Sequence, residues 1–313
     1  MQKLWDIFED QMRKIRQILT LSLFIMLSGQ AYGGEAVDQI KNNVLQKAYS
    51  YGDSAVESWA RDNLKSLRLI EIETRSRVDS KPTFRAITLF ELTGDEYNKI
   101  LTQLNYSTFN DRETLNAGLI YRMFSEDMTK LYGINIFYDH EFNKGHARTG
   151  LGFEMKSTVY DININLYEAM TEIHHVDGAP EVAAGGYDAE IGAYVPYLPW
   201  AKIYYKRYQW NNETKNIKNG ETASLYMEPT SRLSVEVGAQ DDSTTNSHKA
   251  FVKLNYIVCC NERKMSPGIF TVSQNAYSYG KLNQDRMYEK VRRENNIVTV
   301  RGGGGLTITA SGF

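Results

Sequence analysis

The chain has 313 residues and a formal net charge of −2, with 42% hydrophobic and 24% charged residues. This length allows one large domain or two smaller ones. The near-neutral charge and the lack of a basic run exclude a nucleic-acid partner. Beyond the N-terminus, no stretch reaches the roughly 18 apolar residues of a membrane-spanning helix. A membrane β-barrel remains compatible with these totals, because only alternate residues of its strands face lipid.

The first 33 residues are predicted to be a secretory signal peptide. Positive charges precede an apolar run at 18–27, and Ala31-Tyr32-Gly33 has the small-x-small form of a cleavage site. Ala31 and Gly33 are therefore the predicted cleavage-site residues. Residues 34–64 then carry apolar side chains at helical spacing, which predicts a short periplasmic helical segment.

The region 65–258 alternates with a period of two. In 115–123, Leu115, Ala117 and Leu119 lie on one face, and Asn116 and Gly118 lie on the other. A face rich in Gly, Asn and charged residues, repeated in strand after strand, is typical of a transmembrane barrel with lipid outside and a polar lumen. We predict an all-β fold, a twelve-stranded antiparallel transmembrane β-barrel. The period alone leaves a soluble β-sandwich open.

The connections between the predicted strands support the barrel. The predicted strands are 66–74, 83–92, 98–108, 112–124, 129–139, 146–156, 158–168, 185–195, 200–210, 221–229, 231–240 and 248–258. Long polar connections at 75–82, 140–145, 169–184, 211–220 and 241–247 alternate with short turns. Transmembrane barrels place short turns in the periplasm and long loops outside.

The alternation stops after residue 258, and the last region, 259–313, has a different character. The charged segment 284–295 predicts a short helix without a continuous apolar face, and 295–301 predicts an extended segment. Such a helix needs polar surroundings, which a barrel lumen provides, while a soluble tail is the alternative. The adjacent Cys259 and Cys260 are expected to be unpaired or paired outside the chain, since sequence neighbours seldom form a disulfide. Two thiols also cannot complete a metal site.

Several motifs together resemble the inverse autotransporters, the intimin and invasin family. The matching segments, in order, are 48–52 (AYSYG), 57–59 (ESW), 101–106 (LTQLNY), 111–122 (DRETLNAGLIYR), 135–140 (NIFYDH), 150–154 (GLGFE), 194–196 (YVP) and 288–298 (YEKVRRENNIV). The resemblance covers residues 48 to about 300, and the motifs at 135–140 and 288–298 are together its most specific parts.

This resemblance implies an outer-membrane barrel whose C-terminal linker threads the pore and carries an adhesive passenger to the cell surface. The linker residues that it places in the lumen are Tyr288, Val291, Arg293, Asn295, Asn296, Ile297 and Val298. The implied partners are outer-membrane lipid, periplasmic chaperones, the barrel-assembly machinery and a host or bacterial surface receptor. Because the sequence stops about a dozen residues after Arg301, the usual Ig-like passenger is expected to be lacking.

Charged residues on the predicted inner face offer an alternative function. These lumen-facing residues are Arg122, Glu154, Glu190, Glu236 and Lys253. Because unpaired charge away from water is costly, we expect them to pair with one another and with the linker. A porin-like channel, or a barrel that adheres through its loops without a secreted passenger, is the alternative. The discriminating feature is whether 284–300 occupies the lumen.

Two predicted loops combine acids with histidines. They are Asp139, His140, Glu141 and His146 in one loop, and Glu172, His174, His175 and Asp177 in the other. General acid–base catalysis needs such groups within hydrogen-bond reach of one another. A metal at His174-His175 needs third and fourth ligands that the sequence does not identify. We therefore expect solvated loop residues, and no enzymatic activity, metal or cofactor.

Overall fold

A computed structural model describes residues 57, 62–77, 80–212, 215–243, 245–260 and 271–301. The predicted signal peptide, with Ala31 and Gly33, and most of the predicted helical segment 34–64 lie outside these residues. The signal peptide, the helical segment and the domain boundaries therefore stay predictions. Among the described residues there is no helix with the length and apolarity that a membrane crossing requires.

The described strands form a closed barrel and a small separate sheet. In chain order they are β1 (Leu67–Arg77), β2 (Ser80–Gly94), β3 (Asn98–Phe109), β4 (Arg112–Phe124), β5 (Lys130–Glu141), β6 (Ala147–Ser157), β7 (Tyr160–Ala169), β8 (His174–Val176), β9 (Ala179–Ala183), β10 (Gly185–Val195), β11 (Leu198–Asn212), β12 (Lys215–Met227), β13 (Leu233–Asp242), β14 (Thr245–Cys259) and β15 (Thr299–Arg301). All except β8, β9 and β15 belong to the barrel, which closes by pairing β1 with β14. The predicted twelve-stranded antiparallel barrel is confirmed.

The two ends of the barrel differ. The turn end, where β1 begins and β14 ends, carries the connections 95–97, 125–129, 158–159, 196–197 and 228–232. The opposite end carries the β8–β9 hairpin between β7 and β10 and is called the hairpin end. The prediction of long loops at this end is wrong for three connections, 75–82, 211–220 and 241–247. Strand pairing continues to Arg77–Ser80, Asn212–Lys215 and Asp242–Thr245, because backbone hydrogen bonds extend a ladder without needing apolar side chains.

The side chains alternate between lipid and lumen as the period of two predicts. Strand β4 alternates between exposed and buried positions along almost its whole length. Its outward residues include Leu115, Leu119 and Met123, each more than a third exposed, whereas Asn116 and Arg122 are buried in the lumen. Large apolar side chains are exposed in the same way on most of the other barrel strands. An apolar outer band around a polar interior is what a bilayer requires of a barrel.

The cysteine prediction is wrong, because Cys259 and Cys260 form a disulfide with each other. In a regular strand, adjacent side chains point to opposite faces. Here β14 ends at Cys259, and Cys260 adopts a positive φ of 84°. The alternation of the strand is therefore broken between the two residues, which lets both sulfur atoms lie on one side of the backbone.

The chain after β14 runs along the barrel axis. At the turn end, the Leu282 amide donates to the Met128 carbonyl at 2.7 Å. A single 3-10 turn follows at Gln284–Tyr288, then an extended stretch that reaches β15, which pairs with β9 at the hairpin end. The predicted helix over 284–295 is therefore wrong beyond Tyr288. We call residues 284–298 the lumen linker.

Candidate functional site: the lumen and its linker

The cationic side chains of the lumen linker face carboxylates on several barrel strands. Near the turn end, the Arg286 guanidinium donates to both oxygens of Asp161 on β7, at 2.8 Å each. The Lys290 ammonium contacts Glu71 at 2.5 Å and Glu73 at 2.6 Å, both on β1. Charge-assisted hydrogen bonds of this kind are about twice as strong as neutral ones.

Two adjacent arginines continue this pattern towards the hairpin end. Arg292 donates to Glu190 at 2.5 Å and to Glu236 at 3.2 Å, and its guanidinium stacks on the Tyr204 ring at 3.8 Å. Arg293 makes a bidentate pair with Asp139, at 2.8 and 2.7 Å. Because these partners lie on β5, β10 and β13, neighbouring linker residues contact opposite sides of the barrel wall.

The backbone of the lumen linker is hydrogen-bonded by side chains of the wall. Arg122 donates to the Met287 carbonyl at 2.5 Å and to the Glu289 carbonyl at 2.6 Å. The Val291 amide donates to the Gln103 side-chain oxygen at 2.9 Å. Further side-chain donors reach the carbonyls of Arg292, Glu294 and Asn295; they are Asn165, Arg148 and Asn116. Buried backbone groups need such partners, so the wall supplies here what a helix would supply internally.

The remaining linker residues predicted to lie in the lumen also contact the barrel. The Tyr288 hydroxyl donates to Glu91 at 2.8 Å. Asn105 donates to the side-chain oxygen of Asn295 at 3.1 Å, and Ser107 donates to that of Asn296 at 2.8 Å.

The three apolar linker residues of the prediction are buried inside the barrel as well. Val291 belongs to an apolar cluster that includes Leu69, Leu89, Leu101, Ile120, Phe137 and Ile257. Val298 packs in a second cluster with Tyr167 and Trp210, and Ile297 has no exposed surface. The apolar wall residues on the inner face were not identified from the sequence. The period-of-two pattern separates a mostly apolar face from a mostly polar one, so it does not mark the few apolar side chains that lie on the polar, inward face.

The predicted lumen-facing charges lie inside the barrel and are paired. Arg122 and Glu154 bond to each other at 2.6 Å, with almost no exposed surface. Glu190 and Glu236 accept hydrogen bonds from Arg292, and the Lys253 ammonium lies 3.0 Å from the Glu236 carboxylate. Sequence reasoning did not identify Glu71, Glu73 and Asp161 as linker partners. The sequence shows that they lie on polar strand faces, but their partners belong to a segment more than a hundred residues away in the chain.

The two clusters of acids and histidines are only partly solvated. Asp139, Glu141 and His146 are buried, so the expectation of solvated loop residues is wrong for these three. Asp139 binds Arg148 and Arg293 in the lumen. Glu172, His175 and Asp177 are exposed. His140 is half-buried, and its ring contacts the outward-facing Tyr138 and Phe142.

A residue absent from the sequence prediction, Glu181 on β9, connects these clusters. Its carboxylate contacts His146 at 2.9 Å and Arg112 at 2.7 Å, and Arg112 also binds Glu141 at 2.9 Å. The His146 ring stacks on His174 at 5.1 Å. Burial alone would raise the pKa of Glu181, but the hydrogen bonds from His146 and Arg112 lower it by more than burial raises it. The resulting pKa is about 2, below the ordinary value of 4.5.

The described residues hold no group of three or more His, Cys, Asp or Glu side chains that could bind a metal ion. At the hairpin end, Arg112 instead binds Glu141 and Glu181, and His146 contacts Glu181 and His174 of the hairpin. Beside the linker, a cavity of about 230 Å³ remains, lined in part by Tyr194, Lys202, Tyr204 and Tyr226. Chemically, this arrangement holds an extended polypeptide inside the barrel.

Comparison with known proteins identifies the family of this barrel. The family model described as "Inverse autotransporter, beta-domain" matches residues 24–295. The chain belongs to this family. The inverse autotransporter adhesin YeeJ of Escherichia coli (strain K12) is 26% identical over 168 residues, which cover 51% of this chain and 6% of the relative.

A second relative is similar in sequence, and a solved structure is similar in fold. The putative attaching and effacing protein homolog of the same organism is 26% identical over 125 residues, 38% of this chain and 42% of the relative. The chain thus spans less than half the length of both relatives. A structure entitled "Unveiling the Mechanism Behind the in-meso Crystallization of Membrane Proteins" shares the fold, with a TM-score of 0.60, 17% identity, and coverage of 75% of this chain and 100% of that one.

The inverse autotransporter β-domain is a barrel of the bacterial outer membrane. Its outward apolar residues contact the membrane lipid, as the exposed band of Leu, Ile and Tyr side chains requires. The family and the barrel fold together place this protein in the bacterial outer membrane.

Proposed function

We propose that this inverse autotransporter barrel exports its own C-terminal segment through the lumen and then holds that segment at the cell surface. The observation that carries the proposal is the path of the lumen linker from the turn end to the hairpin end. A polypeptide that crosses a barrel in this direction connects the two sides of the membrane. The proposed orientation places the turn end in the periplasm and the hairpin end outside, as in other outer-membrane barrels.

The conformation of the linker supports passage of a chain. An extended segment is narrower than a helix and exposes its amide and carbonyl groups. The Gln103 side chain accepts a hydrogen bond from a linker amide, and the side chains of Arg122 and Asn116 donate to linker carbonyls. Side chains can exchange partners as a chain moves, whereas a helix must unwind. After export, the pairs made by Arg286, Lys290, Arg292 and Arg293 would hold the final register.

The exit site supports retention at the surface. The Ala184 amide donates to the Val298 carbonyl at 2.8 Å, and β15 continues the pairing with β9. Arg301 then binds the Val176 carbonyl and the Asp177 carboxylate. The exported chain would therefore leave the barrel as the third strand of the hairpin sheet, which opposes its return into the lumen.

The proposed partners follow from this role. Assembly of the barrel would need periplasmic chaperones and the barrel-assembly machinery, and the displayed segment would serve adhesion to a host or bacterial surface receptor. A porin-like channel is not favoured, because the linker occupies the lumen. Adhesion through the barrel loops would depend mainly on the β8–β9 hairpin, since pairing at the hairpin end continues almost to the strand tips.

The test is accessibility of three epitope tags on intact cells. One tag follows Phe313, one is inserted at Asp177-Gly178 in the β8–β9 turn, and one at Glu126-Asp127 in a connection of the turn end. We expect protease to remove the first two tags on intact cells, and the third only after the outer membrane is opened. If the Phe313 tag is protected together with the Glu126-Asp127 tag, the export proposal is wrong.

A further inference from the structure

The pairing of β1 with β14 closes the barrel. Every other pair of neighbouring barrel strands is consecutive or, for β7 and β10, separated only by the hairpin. The first and last strands come from opposite ends of the barrel sequence, so their pairing closes the longest loop and has the largest entropic cost. We call this pairing the seam.

The ladder of the seam is also irregular near the turn end. Its register runs from Ile70–Cys259 to Arg77–Phe251, with a shift between Ile70 and Glu71. Such a bulge leaves a residue unpaired and locally disrupts the hydrogen-bonded ladder. Two carboxylates, Glu71 and Glu73, lie next to this shift on the lumen side of β1 and are both buried. Like charges two residues apart on one strand face repel each other when both are ionised.

Lys290 of the lumen linker contacts both strands of the seam at this place. Its ammonium lies 2.5 Å from Glu71 and 2.6 Å from Glu73 on β1, and it donates to the Asn255 side-chain oxygen on β14 at 2.9 Å. Asn255 is the register partner of Glu73. One ammonium group thus uses its three donors on both sides of the seam. Together with the Arg85 guanidinium, which lies 2.6 Å from Glu73, it balances the charge of the two carboxylates.

The next linker residue adds an apolar connection. Val291 belongs to the buried cluster that contains Leu69 of β1 and Ile257 of β14. Arg75 of β1 also stacks on Phe251 of β14, at 4.2 Å, so the wall makes its own contact nearer the hairpin end. The irregular part of the seam is therefore the part next to the linker.

We propose that Lys290 is a positioning residue for barrel closure: it connects the first strand to the last, so that the lumen linker stabilises the seam as well as filling the lumen. This proposal concerns closure and holds whether or not the C-terminal segment is exported. The stabilisation is local, because the other linker cations bind carboxylates away from β1.

The test is amide hydrogen exchange of the full-length barrel in detergent micelles, with Lys290→Met and Arg293→Met as matched variants. Both substitutions remove a linker cation that faces buried carboxylates, but Arg293 binds Asp139 on β5. We expect Lys290→Met to increase exchange at least tenfold in 70–77 and 251–259, with little change in β4 and β5. Arg293→Met should increase exchange around β5 and leave the seam unchanged, since exchange reports local opening.

Two further variants keep the test decisive. Lys290→Arg retains the charge and should retain most of the seam protection. Lys290→Gln removes the charge but keeps a hydrogen-bond donor, and is expected to give the same pattern with a smaller increase, so it serves if Lys290→Met does not assemble. The proposal is wrong if Lys290→Met, or Lys290→Gln in its place, leaves seam exchange unchanged or raises exchange equally in all strands.

Discussion

The outward and inward faces of one strand obey different rules. On β5, Ile134 and Ile136 face outward with 56% and 55% of their surface exposed, whereas Phe137 and Asp139 face inward and are almost completely buried. The outward residues need only be apolar, because lipid is a uniform solvent. Each inward residue meets a particular group, such as Arg293 above both Phe137 and Asp139. The outer face is therefore specified by the membrane, and the inner face by the linker.

Deletion of 284–301 should have the largest effect, because it removes the partners of the inner face together. Breaking one buried ion pair by removing a partner costs about 3–5 kcal/mol, although water entering the lumen would offset part of this. We expect the unfolding temperature to fall by about 10 °C or more, and stepwise conductance to appear in planar bilayers. A deletion variant as stable and as closed as the full chain would contradict the difference between the two faces.

Asp139→Asn sharpens the comparison at a single position. The substitution leaves Arg148 and Arg293 facing each other without a carboxylate, so we expect the free energy of unfolding to fall by about 3–5 kcal/mol. Tyr138→Phe, one residue away on the outer face, should change it by less than about 0.5 kcal/mol. Urea unfolding of both variants in lipid vesicles measures the difference, and equal values would refute the assignment of the two faces.

Ile136→Arg tests the outer face by adding a charge to it, whereas Asp139→Asn removes one from the inner face. A charge facing the middle of the bilayer should destabilise the barrel by about 2–4 kcal/mol, while Ile136→Leu should change little. The same vesicle unfolding assay gives both values. If Ile136→Arg is tolerated as well as Ile136→Leu, the position does not face lipid.

The pH dependence of the hairpin sheet should be the smallest effect, because it is local. The pKa of Glu181 is lowered from its ordinary 4.5 to about 2. Its ionised form therefore stabilises the folded hairpin fully above pH 4.5, and this contribution is lost as the pH falls towards 2. We expect cleavage of the hairpin by pepsin to rise several-fold through that interval.

Two substitutions test whether Glu181 is responsible. Glu181→Gln should be cleaved faster at pH 4.5 and should lose the rise, after normalisation to a pepsin substrate that is indifferent to the barrel. Asp177→Asn is the matched control, since Asp177 is an exposed acid that pairs with Arg301 at 3.0 Å. If this control loses the rise and Glu181→Gln retains it, the pH dependence belongs to the exposed pair.

The outer face and the strands could be predicted from the sequence, because they depend on local alternation. The predicted strands 112–124 and 185–195 coincide with β4 and β10. The polar strand extensions were missed, since backbone pairing there leaves no periodic signal in the side chains. The short, charged linker segment was predicted as a helix, because its local sequence does not show that wall side chains hydrogen-bond its backbone. Gln103 and Arg122 are two of these partners, and both lie far away in sequence.

The inner face could be predicted only as polar. Its charges were visible as alternate residues, but nothing local indicated that Lys290 would bind Glu71 or that Glu181 would bind His146. Pairs of this kind depend on closure of the barrel and on the path of the linker. The resemblance to the family supplied that path, whereas the individual partners required the structure.

A crosslink between the linker and the barrel wall measures whether the linker crosses the lumen in one register. In a Cys259→Ala, Cys260→Ala background, the pair Ser107→Cys with Asn296→Cys replaces side chains that hydrogen-bond at 2.8 Å. We expect a mild oxidant or a short thiol crosslinker to join this pair in native membranes, while Ser107→Cys with Tyr288→Cys remains unjoined. Failure of the first pair to crosslink in folded barrels, or equal crosslinking of both pairs, would contradict a linker fixed in the lumen.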